Sequence, residues 1–164
     1  MTADRAAEMR HAFDQSFAAA PATGTDVLQD FVAIQLGGHP HAVRIAELAG
    51  LFADRRVTRV PGRRSELLGI ASVRGALVPV FDLAASLGYP ATAASRWLMI
   101  ATARSFAFAI ESFEGHVRVP ASAIAPSADH SAHVREVMRG DWGVRAIIEL
   151  SSVIETLIER AHAR

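Results

Sequence analysis

From residue 31 to residue 150 the chain is a succession of short apolar runs, each closed by glycine, proline or a cluster of polar residues. None is long enough to cross a bilayer as a helix. Within most of them apolar side chains alternate with small or polar ones, the period of a strand with one buried face. A chain punctuated this often by turn residues must fold mainly as β structure, closing its short strands into barrels or a sandwich.

The first run, Phe31 to Leu36, reads as a strand, Gly37-Gly38-His39-Pro40 as a turn and His41 to Ile45 as the returning strand. Val57 to Val60 is a short strand stopped by Pro61. Leu67 to Val73 leads through a tight Arg74-Gly75 turn into Ala76 to Leu83, and glycine suits the backbone angles of such a turn. Pro79 has no N–H to donate, which predicts an edge strand or a bulge. Beyond a loop at 88–95, Trp97–Ala101 and Phe106–Ile110 read as a hairpin whose second strand continues towards Val119. Residues 126–133 read as a polar loop. Val134–Met138 and Val144–Leu150 are strands around the turn Arg139 to Gly143.

Helices are expected at both ends. In residues 2–20 the side chains of Ala6, Met9, Phe13, Phe17 and Ala20 share one face, and Pro21 ends the pattern. A helix this short is marginal alone in water, so its stripe either packs on its own domain or engages a partner. Residues 21–26 are a turn-rich linker, which separates an N-terminal segment (1–22) from a main domain at 28–162. Near the C-terminus Val153, Ile154, Leu157, Ile158 and Ala161 form a second buried stripe, with Ser152 and Glu155 spaced as a capping box.

Composition narrows the chemistry. With 164 residues, 51% of them apolar, the chain can bury a core without staples. There is no cysteine, hence no disulfide framework and no thiolate metal ligand or nucleophile. All 17 basic residues are arginine, which removes every mechanism needing a lysine amine, the Walker loop included. The formal net charge is zero, which argues against bulk nucleic-acid binding by counterion release. Charges at Asp4, Arg5, Glu8, Arg10 and Asp14 interrupt the N-terminus where a signal peptide would be apolar, so a cytoplasmic protein without membrane insertion is expected.

Candidate chemistry is thin. Arg55, Arg56, Arg59, Arg63 and Arg64 form a basic cluster suited to an acidic partner or to a solvated edge. No aromatic residue interleaves with it to stack bases. His39 and His41, and Asp129, His130 and His133, lack the spacing of a metal site. There is no G-x-S-x-G elbow, and Glu111 and Glu114 have no evident cleft to tune them. Asp82 reads as the cap of a turn, Trp97 and Trp142 as packing or rim residues. No catalytic residue, metal or cofactor is expected.

Three stretches resemble the CheW family in order and spacing. The first is Val57-Thr-Arg-Val-Pro61 with Gly69-Ile-Ala-Ser-Val-Arg-Gly75 and Val78-Pro-Val-Phe-Asp-Leu83. The second is Phe106 to Pro120, and the third is Val144-Arg-Ala-Ile-Ile-Glu-Leu150 with the terminal helix. Together with the strand at Phe31 the resemblance covers residues 30 to about 158. It implies two small five-stranded SH3-like barrels sharing an apolar core and closed by the C-terminal helix; the N-terminal helix is an addition to the minimal family pattern. It also implies a non-catalytic adaptor that couples the cytoplasmic tip of a chemoreceptor to the regulatory domain of a CheA-type histidine kinase, itself of the same fold. The groove between the barrels would take the receptor helix, a fit of amphipathic helix to apolar groove.

Carried onto this sequence, the receptor- or kinase-facing candidates are Ile45, Val57, Arg59, Val73, Arg74, Gly75 and Val80, with Met9, Phe13 and Phe17 as a possible partner helix. The guanidinium of Arg74 could grip a partner carboxylate in two places, or hold its own hairpin. Two positions depart from the family pattern: Gly50 stands where a Glu is usual, and Ser72 where an Asn precedes Arg-Gly. The competing reading is a small β-barrel that binds nucleic acid through the Arg cluster.

Overall fold

The computed structural model of the protein describes residues 26–62, 64–91, 95–103 and 105–163. The expected N-terminal helix, with Met9, Phe13 and Phe17, lies outside them, as does Arg63.

Alternation within the strands accounts for the architecture. In β7 (Trp97–Ala101) Leu98 and Ile100 point into one apolar cluster, Met99 and Ala101 into another. In β8 (Ala107–Ile110) Ala107 and Ala109 share the first cluster, Phe108 and Ile110 the second. Both faces of these strands are therefore buried, which requires a sheet curled around an interior of its own while its back packs on something else.

Two six-stranded sheets do this. The first runs in the order β10-β11-β12-β2-β1-β9 and comprises β1 (Leu28–Leu36), β2 (His39–Arg44), β9 (Ser112–Pro120), β10 (Ile124–Ser131), β11 (Val134–Gly140) and β12 (Gly143–Ile148). The second, in the order β3-β7-β8-β6-β5-β4, adds β3 (Leu48–Ala53), β4 (Val57–Thr58), β5 (Leu67–Val73) and β6 (Ala76–Asp82) to β7 and β8. The first sheet encloses Phe31, Ala42, Val119, Met138 and Ile147. The second encloses Ala71, Val73, Val78, Val80, Leu98, Ile100, Ala107 and Ala109. Between them lies a shared core, filled by Ile34, Leu36, Phe81, Met99, Phe108 and Ile148 and closed by α2 (Leu150–His162) through Leu150, Val153, Ile154 and Leu157. The architecture is the expected pair of subdomains on one core, with six strands to each sheet where five were expected.

The second sheet is one continuous excursion from the first. The chain leaves β2 through the 3₁₀ turn Ile45–Glu47 and returns at Glu111, the single residue between β8 and β9. The sequence pattern predicted one strand running on from Phe106 towards Val119; the apolar alternation does continue, but the chain changes sheets there. The polar run 126–133 is also a correction. Most of it is the end of β10, held by backbone pairing such as Pro126 with Glu136 and Ser131 with Val134 rather than by apolar side chains. Pro79 sits in an interior strand. Its missing donor is tolerated because β8 pairs with β6 only from Val80 onward, so at Pro79 that side of the ladder is still open.

Helix capping departs from local expectation at one end only. Asp82 is the N-cap of α1 (Leu83–Ser86), its carboxylate accepting from the Ala85 N–H at 3.1 Å. Ser152, expected as an N-cap, lies inside α2, where its hydroxyl donates to the Ala132 carbonyl and bonds the His133 ring. The N-cap is Glu149, and the free N–H of Ser151 is met by Glu47 from the turn between the sheets, at 3.2 Å.

Candidate partner-binding site

The tight turn between β5 and β6 has positive φ at both central residues, 51° at Arg74 and 82° at Gly75. This is the mirror-image hairpin turn that matches strand twist and favours Asn-Gly. Gly75 adopts it freely. A non-glycine residue in the left-handed region costs about 1 kcal/mol or more, so Arg74 is a poor choice for the turn itself.

The side chain shows where it is used. Its guanidinium lies 5.6 Å from the centroid of the Phe52 ring, and that of Arg55 lies 5.2 Å from the same centroid. Phe52 is on β3, at the edge of the second sheet. Gly50 gives the ring its seat: a Cβ there would sit 2.8 Å from the ring edge. The departure of Gly50 from the family pattern thus has a steric reason, since any side chain at 50 would displace Phe52. Ser72 is exposed on β5 opposite Leu77, and nothing in the structure explains its replacement of Asn.

Beside this stack opens a pocket of about 260 Å³. Val73, Val78 and Ile100, members of the second sheet's interior cluster, form its apolar floor, and Ala49, Arg74 and Thr102 stand on its rim. Thr102 ties the rim to the turn between the sheets, its N–H donating to the Glu47 carbonyl and its hydroxyl to that of Ala46. Leu77, next along from the Arg74 turn, is 76% exposed.

The family-derived candidates do not all share this surface. Val73 and Arg74 line the pocket, Gly75 completes the turn, and Ile45 is exposed on the 3₁₀ turn that Thr102 anchors. Val57 and Arg59 lie farther along the sheet edge, where β4 pairs with β5, Val57 half-buried and Arg59 exposed. Val80 has no exposed surface and Val73 almost none, so these two support the surface from beneath. Phe52, Ala49, Ile100 and Leu77 escaped the sequence reading. The signal that could have found Phe52 is Gly50 two residues before it, on the same face of the strand.

Among the described members of the basic cluster, Arg64 is drawn to the C-terminal helix. Arg64 donates to the carbonyls of Leu157 and Arg160, closing the C-terminal turn of α2, as a cation near a helix C-terminus should. Arg56 and Arg59 are exposed. Among the described residues five arginines, Arg44, Arg96, Arg118, Arg135 and Arg145, pair with carboxylates, whereas Arg55 and Arg74, like Arg56 and Arg59, pair with none. Asp30 accepts from Arg118 and bonds His116, which together hold its carboxyl below the usual range. Glu114 is lowered likewise by the Gln35 amide and by Arg145. Glu111 accepts from the Gly38 N–H.

The two buried histidines, His41 and His133, are structural. His41 is buried on β2 with its ring between the His39 carbonyl and the Tyr89 hydroxyl, and burial pushes its pKa down. His133 is buried against Ser152 and shifted in the same direction for the same reason. Among the described residues no three His, Asp or Glu side chains converge as a metal site would need. Trp97 packs on Phe113 against the shared core, while Trp142 stands half-exposed at a hairpin tip with Arg145 over its ring. No helix among the described residues is long and apolar enough to cross a membrane.

The family model of the CheW-like domain matches residues 30–157. The chain belongs to the CheW-like family. The scaffolding protein TtCheW of Thermoanaerobacter tengcongensis superposes on this CheW-like chain with a TM-score of 0.70, over 79% of this chain and 94% of that one, at 18% identity. That likeness is one of fold. The protein PilI of Pseudomonas aeruginosa is 32% identical over 57 residues, 35% of this chain. The matched stretch spans about a third, 32%, of PilI.

Proposed function

We propose that this CheW-like chain is a non-catalytic scaffold that couples the cytoplasmic tip of a chemoreceptor to the regulatory domain of a CheA-type histidine kinase. The observation that carries the reading is a hairpin turn that accepts an arginine in the left-handed region and holds it beside an apolar pocket. Family membership and the likeness in fold to a protein described as scaffolding support the same role. The buried polar groups point away from catalysis, since His41, Asp82 and His133 are all engaged in holding turns and strands together.

The mechanism is geometric. Two sheets joined by a 3₁₀ turn, a one-residue crossing and a common core resist motion relative to one another, because close-packed interiors deform little. A receptor bound at the Arg74 surface and a kinase domain bound elsewhere on the same body would therefore be held in fixed relation. A shift of the receptor then biases the kinase without any chemistry in the scaffold.

The test is a pull-down of receptor-tip fragment and kinase regulatory domain by the chain and by Arg74→Glu. The variant is exposed at a turn and keeps the fold, and its capture of the receptor or the kinase falls clearly. Unchanged capture of both removes Arg74 from the interface.

A further inference from the structure

The apolar stripe of α2 is wider than the face that the described residues cover. Val153, Ile154 and Leu157 are buried, but Ile158 is only half-buried and Ala161 is exposed. Along the uncovered side runs a groove of about 220 Å³, floored by Ile154 and Ile158, bounded by Ser151 and Ala103 and edged by Glu155 and Glu159. The two carboxylates stand four residues apart on the helix and pair with no cation among the described residues. Like charges at that spacing repel, so the groove favours an apolar occupant flanked by cations.

The chain carries such a segment. At helical spacing Met9, Phe13 and Phe17 make a stripe about 12 Å long, the same span as the groove from Ser151 to Glu159. Arg5 and Arg10 fall on the two flanks of this stripe, whereas Asp4 and Glu8 fall on its far side. A helix of this length needs its stripe covered. The described chain begins at Asp26, at the end of the first sheet where Gln29 binds Arg44. Arg44 leads into the turn Ile45–Glu47, and that turn holds both walls of the groove. Glu47 accepts from the Ser151 N–H, and the carbonyls of Ala46 and Glu47 accept from Thr102, next to Ala103. Residues 18–25 can extend about 26 Å, while the turn between exit and groove is three residues long.

We propose that residues 2–20 form a helix that lies in this groove, with Phe13 against Ile154 and Ile158 and with Arg5 and Arg10 beside Glu155 and Glu159. The occupant is a segment of the same chain, since its span, its charges and its point of attachment all match. It straps α2 from outside, beside the turn that joins the two sheets. The proposal goes beyond the scaffold reading and does not depend on it.

The full chain has no cysteine, so a nitroxide on Gln15→Cys, on the far side of the stripe, is the single label. The methyl NMR signals of Ile154 and Ile158 should be lost with the label oxidised and return when it is reduced. Phe13→Ser with Phe17→Ser should restore most of the lost intensity. Glu155→Arg with Glu159→Arg, both at exposed positions, should do the same, and adding Arg5→Glu and Arg10→Glu should bring the broadening back. Sharp signals in the oxidised full chain would overturn the proposal, and so would broadening that survives both pairs of substitutions. Broadening seen only when label and isotope are on different molecules would also overturn it, since the occupant is then a second copy.

Discussion

The carboxylate of Glu47 accepts the backbone N–H of Ser151, so a residue in the turn between the two sheets caps the helix that closes their shared core. The contact joins positions far apart in the chain and ties the turn between the sheets to α2. Its other oxygen is buried without a hydrogen-bond partner, which shows how closely the carboxylate is enclosed. Glu47→Ala should lower stability by about 1 kcal/mol, the usual worth of a helix cap. By urea unfolding the midpoint should fall without a change in slope; an unchanged midpoint would show that solvent replaces the carboxylate at no cost.

Gly69 on β5 lies hard against the end of β4, its antiparallel neighbour in the sheet, where Thr58 pairs with Ile70. A Cβ there would sit 2.1 Å from the Thr58 carbonyl oxygen and 3.0 Å from the Arg59 Cα, both backbone, with φ at 150°. Gly69→Ala should therefore cost about 4 kcal/mol or prevent folding, because neither neighbour can move aside. Gly38, with φ at 76° and nothing within 4 Å of its would-be Cβ, is the control. Gly38→Ala should cost only about 1 kcal/mol, from the backbone conformation alone. Similar losses for the two in thermal melts would contradict this close approach of the two backbones.

Burial lowers the pKa of both His41 and His133, so the folded chain holds them neutral while the unfolded chain protonates them below about 6.5. The unfolded state then binds more protons in that window, and stability falls as pH drops below 6.5 towards the depressed folded values. Above 6.5 the effect vanishes. Asp30 and Glu114 are lowered too, and what they contribute is lost only at still lower pH, as it falls through the acid range. Urea midpoints should thus decline between pH 7.5 and 5.5 in wild type and less steeply in His41→Gln. Equal midpoints at the two pH values would refute the buried neutral imidazoles.

Much of this was legible in the sequence, and the failures share a cause. The hairpin at Arg74-Gly75, the strand that ends in Asp82 and the buried stripe of α2 follow from local signals that the tertiary structure leaves intact. Ser152 and Glu155 carry an equally good local signal, but the cap of α2 comes from Glu47, which no sequence window joins to it. The strand at 124–131 was invisible because its pairing is made by backbone, while its side chains are those of a loop. The break at Glu111 was hidden because both flanking strands keep the apolar alternation while changing sheets. At the candidate site Arg74 could be read from its motif, but the seat of Phe52 depends on the missing Cβ of Gly50, and only coordinates show the ring filling that space.

The stripe of Met9, Phe13 and Phe17 precedes the stretch that matches the CheW-like family. If it serves a partner, deleting residues 1–22 should leave the melting temperature of the domain within about 2 °C, since few core contacts would be lost. A truncated chain that aggregates or melts much earlier would make the stripe part of the core.

A coupling scaffold must hold both partners at once. The decisive measurement is size-exclusion chromatography with light scattering on the chain mixed with a receptor-tip fragment and a kinase regulatory domain. The account predicts a single ternary complex, diminished by Arg74→Glu. If the chain binds neither partner, or if one displaces the other, coupling through this body is contradicted.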